Sequence, residues 1–255
     1  MKPYPDMNKE SNEHLPSAKF PVPLLVLMET DSTNRHLTQL CDEQGTDIPE
    51  FMTVIAERQT AGKGQRGNSW ESEDCKNITF SFVLYPTFIE ARQQFILSQI
   101  ISLSIKEELD EWAEGISIKW PNDIYVDGKK ICGILVETIL DPDLKGVIVG
   151  IGLNVNNEDF QSMKQITHKE YKISKLAIGL KTFMLIYYNL YQTNQFHKVL
   201  EYANSISYLK DQWVEYGDYG EVCFQKLLDD GSVLFVDRQG KTYKQVINEI
   251  SLHNK

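Results

Sequence analysis

The sequence predicts an α+β fold: a mixed, mostly antiparallel sheet backed by helices, followed by a small β-barrel. Three observations predict it. Residues 116–155 carry four apolar runs separated by turn signals, residues 90–113 repeat apolar side chains at helical spacing, and residues 221–247 hold three short strand-like runs joined by tight polar turns. At 255 residues, 42% hydrophobic and 24% charged, the chain can bury one large core plus a small one. Its formal net charge of −10 argues against nucleic acid as the main partner, because duplex binding rests on a positive surface. The start, Met1-Lys2-Pro3-Tyr4-Pro5-Asp6, lacks an apolar stretch of signal-peptide length. The longest apolar runs, Val22 to Met28 and Gly146 to Leu153, are too short to span a bilayer. A cytoplasmic protein with no membrane partner is the expectation.

The elements follow in order. Residues 1–22 are polar and Pro-punctuated, and predict a mobile arm. Leu24 to Glu29 has strand character. Asp31-Ser32-Thr33-Asn34 offers N-cap residues before a helix over Arg35 to Glu43. Met52 to Ala56 predicts a buried strand, and Asn77 to Tyr85 alternates as a half-buried strand does. Phe95, Ile96, Gln99, Ile100, Leu103 and Leu109 mark one face of the 90–113 helix. Strands follow at Ile116–Trp120, Ile124–Val126, Lys130–Ile139 and Lys145–Val155, turning at Asp127-Gly128 and Asp141-Pro142. Helices are predicted at about 174–192 and 195–212. The tail gives strands at Glu221–Leu228, Ser232–Asp237 and Thr242–Ile247, the signature of a small barrel. The boundary falls near residue 212, giving a first domain over 1–212 and a second over 213–255.

Cys41, Cys75, Cys132 and Cys223 are far apart with no CxxC pair, which argues against a disulfide framework or a zinc site. Cys132 lies in an apolar run and is expected to be a buried free thiol. The five histidines show no HExxH spacing, and no Gly-x-Ser-x-Gly elbow is present. Chemistry therefore falls to Lys, Arg, Asn and Asp.

Three segments carry it. Glu57 to Trp70 contains Gly62, Lys63, Gly64, Gln65, Arg66 and Gly67, with no acid after Glu57. Glycines let backbone N–H groups approach a ligand, and Lys63 and Arg66 supply donors to phosphate or carboxylate, so the loop suits an anion. It is not a Walker A loop, for no Gly-Lys-Ser/Thr closes it. A solvated surface loop has comparable weight on this segment alone. The second segment is Lys119-Trp120-Pro121-Asn122-Asp123, with Lys129, Lys130 and the run to Glu137 beyond the turn. A hairpin here can aim Lys119 and Lys130 at one side of a sheet, where two ammonium groups make sense if an anion sits between them. Lys129 fits a solvated hairpin tip better. The third is Gly150-Ile151-Gly152-Leu153-Asn154, a core strand ending in an amide; by itself Asn154 reads as a structural turn cap.

Together these segments resemble the biotin–protein ligases (biotin–[acetyl-CoA-carboxylase] ligases). The likeness rests on Ser32-Thr33-Asn34, Gln59, Gly62 to Trp70, Lys119 to Asp123, Lys130 to Glu137 and Gly152-Leu153-Asn154, in the family's order and spacing, over residues 24–155. It implies a class II synthetase-like catalytic domain and an SH3-like C-terminal barrel. It also implies a two-step reaction, in which ATP activates biotin as biotinyl-5′-AMP before transfer to a lysine of a biotin carboxyl carrier protein, with Mg²⁺ as cofactor.

The resemblance implies catalytic roles for Lys130, Arg66 and Asp123. It implies biotin contacts by Ser32, Thr33, Asn34, Gln59, Gly62, Lys63, Gly64, Gln65, Lys130 and Gly133. Adenylate contacts would come from Arg66, Trp70, Lys119, Asn122, Asp123 and Asn154, and no residue is assigned to the metal. Ser32, Thr33 and Gln59 would meet the neutral ureido ring. Trp70 serves equally well as an aromatic packing the loop onto the core. One departure stands out: the family commonly places Arg where this chain has Gln65. Either Arg66 takes that role, or the loop holds the adenylate less tightly.

About thirty polar residues precede Ser32, too few for a DNA-binding domain, so a monofunctional enzyme is expected. A homodimer through an exposed sheet edge is compatible with the family. The rival readings are a lipoate–protein ligase, whose Arg-Arg-x-Ser-Gly-Gly-Gly-Ala stretch is absent, and a non-catalytic regulator that binds biotin or adenylate.

Overall fold

In the computed structural model, β1 (Leu24–Thr30) and β2 (Thr53–Gln59) run parallel, Leu24 facing Thr53 and Thr30 facing Gln59. A parallel pair needs a crossover, and helix α1 (Thr33–Gln44) supplies it. The structure describes residues 23–86, 95–120, 122–140, 144–158, 161–192, 196–228, 230 and 232–246. The predicted arm over 1–22, the Asp141-Pro142 turn, the start of the 90–113 helix and Ile247 lie outside them.

β3 (Ile78–Leu84), β4 (Ile116–Lys119), β5 (Asp123–Val126), β6 (Lys129–Leu140) and β7 (Leu144–Leu153) complete one sheet in the order β1-β2-β3-β7-β6-β5-β4. Every described pairing in it but β1–β2 is antiparallel. The mixed, mostly antiparallel sheet is therefore present. Asp127 and Gly128 both take positive φ (50° and 72°), the geometry of a tight hairpin turn between β5 and β6.

Each strand has two faces, and they part company chemically. Phe80, Phe82, Ile134, Val149 and Ile151 point to one side, into the main core with α2 (Phe95–Asp110), whose Leu97, Ile100, Leu103 and Leu109 are fully buried. The other side carries Thr79, Ser81, Gly133, Gly150 and Gly152, bordered by Val83 and Ile148 under Leu37 and Cys41 of α1.

Several boundaries differ from the prediction. α1 begins at Thr33, two residues early, with Ser32 as an N-cap in extended backbone and no side-chain cap. A short helix α3 (Met163–Thr167) was not anticipated; Ser162 caps it by accepting from the Gln165 N–H at 3.3 Å. α4 (Ile173–Gln192) matches, but α5 (Phe196–Ser205) stops short of 212. The chain then runs in turns, bridging Ser207 to Ile118 and Lys210 to Phe224 and so tying one sheet to the other. Tyr208 N–H goes to Ile118 O and Asp211 N–H to Phe224 O, so neither is available to continue the helix.

The small C-terminal SH3-like element is a four-stranded antiparallel sheet of β8 (Trp213–Glu215), β9 (Glu221–Leu227), β10 (Ser232–Asp237) and β11 (Thr242–Val246). β8 was missed, three residues being too few to show a period. The sheet packs around Tyr216, Phe235 and Tyr243. Asn204 of α5 locks onto it, its side chain bonding both the N–H and the carbonyl of Leu227. All four cysteines are free, and Cys132 is fully buried as expected; burial drives its thiol pKa up and leaves it unreactive.

Candidate active site

The glycine face of the sheet forms the floor of a shallow cleft, open to solvent at its mouth. Gly133 and Gly152 are cross-strand partners, and glycine is required at both. A Cβ on Gly152 would lie 2.2 Å from Trp70 Cε2, and one on Gly133 would lie 2.9 Å from Trp70 Cζ3. The indole lies across this bare backbone, and its Nε1 is buried with no hydrogen-bond partner among the described residues. Gly150 does the same for α1, since a Cβ there would meet Asn34 Oδ1 at 2.1 Å.

The basic loop closes the cleft as a miniature hairpin. Lys63 bridges Ser69, Gly64 N–H donates to Asn68 O at 2.7 Å, and Trp70 N–H donates to Gly62 O at 2.9 Å. Gly62 is buried beneath Trp70, where any side chain would strike the Trp70 carbonyl. Loop closure thus fixes the indole that the floor receives.

On the far wall Lys130 Nζ lies 2.7 Å from Asp123 Oδ1 and 5.6 Å from the centre of the Trp70 ring. Asp123 therefore aims the ammonium group while the indole face adds a cation–π contact. Asn122 clips β6 in place, its Nδ2 donating to Ile134 O at 3.0 Å and its carbonyl accepting from Ile134 N–H at 2.9 Å. Tyr125, next along β5 on this face, has its phenol pushed up to about 12, chiefly by burial, with the Asp123 charge adding. It stays neutral at physiological pH.

The lining is Ser32, Thr33, Asn34, Gln59, Lys63, Gly64, Gln65, Trp70, Asn122, Lys130 and Gly133, all predicted, with Ile134, Leu135, Gly150, Ile151 and Gly152 added. Four predicted residues stand elsewhere. Gly62 and Asp123 support the lining from behind. Lys119 shares the outer face with Lys130, as expected, but its Nζ sits 5.2 Å over the Tyr125 ring, outside the cleft. Asn154 is buried, its Nδ2 donating to Gln161 O and its own carbonyl accepting from Met163 N–H, which is the turn-cap role. The Arg66 side chain lies outside the described residues.

Sequence reasoning passed over Glu137. Its carboxylate accepts from Lys63 Nζ and from Asn34 Nδ2, each at 2.8 Å. A lone acid closing the apolar run Gly133 to Val136 was the available signal. Among the described residues no group of three or more His, Cys, Asp or Glu could hold a metal ion, and no helix is long and apolar enough to cross a membrane.

Comparison with known proteins places this arrangement. The chain is similar to the bifunctional ligase/repressor BirA of Bacillus subtilis, 35% identical over 136 residues, covering 52% of this chain and 39% of that protein. It is likewise similar to the biotin–[acetyl-CoA-carboxylase] ligase of Paracoccus denitrificans, 34% identical over 136 residues, 51% of this chain and 53% of that one. The chain thus aligns with about half or less of the length of these curated relatives. Among solved structures, biotin protein ligase from Aquifex aeolicus in complex with biotin and ATP superposes with a TM-score of 0.77 at 27% identity, covering 91% of this chain and 99% of that one. The family described as Biotin/lipoate A/B protein ligase matches residues 27–154, half of the chain. This chain belongs to the biotin/lipoate A/B protein ligase family.

Proposed function

We propose that the protein is an ATP-dependent biotin–protein ligase, and that the observation carrying this reading is the glycine-floored cleft with Lys130 at one end and Ser32, Thr33 and Gln59 at the other. The cleft has a polar, uncharged end suited to a urea and a bare middle suited to an apolar ring and chain. Its cationic end suits a carboxylate meeting a phosphate. The family and the biotin- and ATP-bound Aquifex ligase support the same assignment.

In the first step a biotin carboxylate oxygen attacks the α-phosphorus of ATP, the bond to the β-phosphate breaks, and pyrophosphate leaves. Two anions must approach each other, so the barrier is electrostatic. Lys130, held in place by Asp123, supplies a positive charge that needs no reorganisation as the new bond forms. Lys63 and Arg66 are the further cations of the loop. In the second step a lysine amine of a biotin carboxyl carrier protein attacks the acyl carbon of biotinyl-5′-AMP, AMP departs, and the amine loses a proton. Trp70 and the closed loop shield the mixed anhydride from water until then.

Mg²⁺ is the cofactor such chemistry calls for; the triphosphate would carry it, and Asp123, the carboxylate beside Lys130, would be its contact from the protein. When bound it would neutralise phosphate charge. The C-terminal unit over 213–255 and the SH3-like sheet within it are assigned to gripping ATP or the carrier domain.

The test is biotin-dependent ATP–pyrophosphate exchange with lipoate run in parallel. Exchange with biotin is the expected result. Exchange with lipoate alone would move the chain to the sister activity, and exchange with neither would end the catalytic reading.

A further inference from the structure

Glu137 touches no part of the cleft wall assigned to the urea, yet it determines how that wall is wired. A line of side chains runs from it across three strands and the start of α1. Glu137 Oε2 accepts from Asn34 Nδ2 at 2.8 Å. Asn34 Oδ1 meets Ser81 Oγ, which lies 2.7 Å from Thr33 Oγ1. Gln59 Oε1 accepts from the Thr33 backbone N–H at 2.8 Å, with Thr33 Oγ1 at 3.1 Å. Ser32, Thr33, Asn34 and Ser81 are all buried, so bulk water cannot reset these bonds.

Counting hydrogens constrains the direction of these bonds. A carboxylate only accepts, so the Asn34 nitrogen must face Glu137 and the Asn34 oxygen must face Ser81. The amide oxygen also only accepts, and Ser81 has a single hydrogen, so that hydrogen goes to Asn34. The Thr33 hydrogen then lies between Ser81 Oγ at 2.7 Å and Gln59 Oε1 at 3.1 Å; either bond spends it inside the wall and turns a Thr33 lone pair toward the cleft. At the other end, a backbone N–H only donates, so the Gln59 oxygen faces Thr33. The Gln59 NH₂ is left on the loop side, where a Cβ on Gly62 would come within 3.1 Å of Nε2. The wall therefore offers an acceptor at Thr33 and donors at Gln59. A cyclic urea is the complement, with N–H groups beside one C=O.

We propose that Glu137 is a positioning residue that fixes the hydrogen-bond polarity of this wall, and so selects a ligand presenting N–H groups around a carbonyl oxygen. The inference rests on the biotin reading of the site. Replacing the carboxylate by an amide removes the constraint, because Lys63, which only donates, holds the amide oxygen of Gln and leaves its NH₂ facing Asn34. The Asn34 amide is then free to flip, and Ser81 and Thr33 can reverse with it. A wall of mixed polarity binds the urea less well and discriminates less against its reverse.

The experiment compares biotin with 2-iminobiotin, whose imine N–H replaces the urea oxygen, as substrates for pyrophosphate exchange by full-length wild type and Glu137→Gln. In the variant the KM for biotin is expected to rise about tenfold, and the wild-type preference for biotin to fall by about tenfold, the worth of one charge-assisted hydrogen bond. The KM for ATP and the melting temperature stay unchanged. Removing a negative charge disfavours the cationic iminobiotin, so electrostatics alone would shift the preference the opposite way. Asn34→Ala, which changes no charge, is expected to lose the same preference, and adding Glu137→Gln to it should cost nothing more.

An unchanged preference in Glu137→Gln, or additive losses in the double variant, overturns the proposal. So does a KM for ATP that rises in step with that for biotin. Wild type that exchanges with biotin while Glu137→Gln matches it withdraws this inference alone. Wild type that does not exchange with biotin withdraws the functional reading, and this inference with it.

Discussion

The two faces of the large sheet are made by the same strands and are built to opposite specifications. Ile151 and Gly152 are adjacent on β7; Ile151 points into the core beside Phe80 and Ile134, while Gly152 lies bare beneath the Trp70 indole. The helix-covered face gains stability from every methylene it buries, about 0.8 kcal/mol each. The cleft face gives up side-chain volume so that an indole, the Asn34 amide and a ligand can reach the backbone. Parity along a strand thus separates stability from chemistry, and a one-residue slip of register would exchange them.

The largest contrast is between Lys130 and Phe82. Lys130→Ala should cost about 10³-fold in adenylate formation, as removal of a preorganised transition-state charge does, with little change in melting temperature because the side chain is part-exposed. Phe82→Ala should lower the unfolding free energy by about 3–5 kcal/mol, measured by urea titration, and leave the KM of the folded fraction unchanged. A Lys130→Ala protein that unfolds, or a fully folded Phe82→Ala protein without activity, would show that the faces are not separable.

Next in size is the pair of neighbours on β7. Gly152→Val puts side-chain carbon where Trp70 Cε2 and Nε1 now lie, at 2.2 and 2.4 Å from the first added atom. The indole must leave its seat, so exchange activity should fall about 10²-fold, with a stability cost of about 1–3 kcal/mol. Ile151→Val, one residue away, should cost only about 0.5–1.5 kcal/mol of stability and no activity. Tryptophan fluorescence of the Gly152→Val protein would report the displaced ring. An unchanged spectrum with full activity would mean that Trp70 does not depend on the bare floor.

The sequence made the core face more legible than the cleft face. Periodic Val, Ile and Phe announce buried strands, and for β3, β6 and β7 that sufficed. Glycines announce only that something comes close, not what does. The need for glycine at 150 appears once the Asn34 amide is seen against it, and Glu137 acquires a role only through Asn34, distant in sequence. Asp123 was expected at the adenylate; its contact with Lys130 emerges from the β5–β6 register, irregular at Ile124/Tyr125. Lys119 was placed on the correct face, but Tyr125 engages its ammonium group, a cross-strand detail that spacing does not encode. The C-terminal end of α5 was overrun because its successor residues are polar enough for helix, yet their backbones are claimed by two sheets.

The smallest predicted effect lies on the helix-covered face, at a buried carboxyl group. Glu108 of α2 is buried against α4, where a Cβ on Gly179 would come within 2.1 Å of its carboxylate, and it accepts from Trp112 Nε1 at 2.8 Å. Burial is the main cause that raises its pKa, with Glu111 adding; the Trp112 bond and Lys175 pull the other way without cancelling it. A carboxyl group with a raised folded-state pKa contributes stability that is complete below its unfolded value and is lost as pH rises through the folded value. At neutral pH the ionised group therefore weakens the fold. Glu108→Gln keeps the size and the acceptor for Trp112 but cannot ionise, so the variant should be the more stable at about pH 8 and match wild type near about pH 4. Urea midpoints at the two pH values measure this, and exchange activity should not change. A stability gap that persists in acid would mean the amide improves packing and that the charge is not what costs. Loss of activity in a folded Glu108→Gln protein would connect the two faces after all.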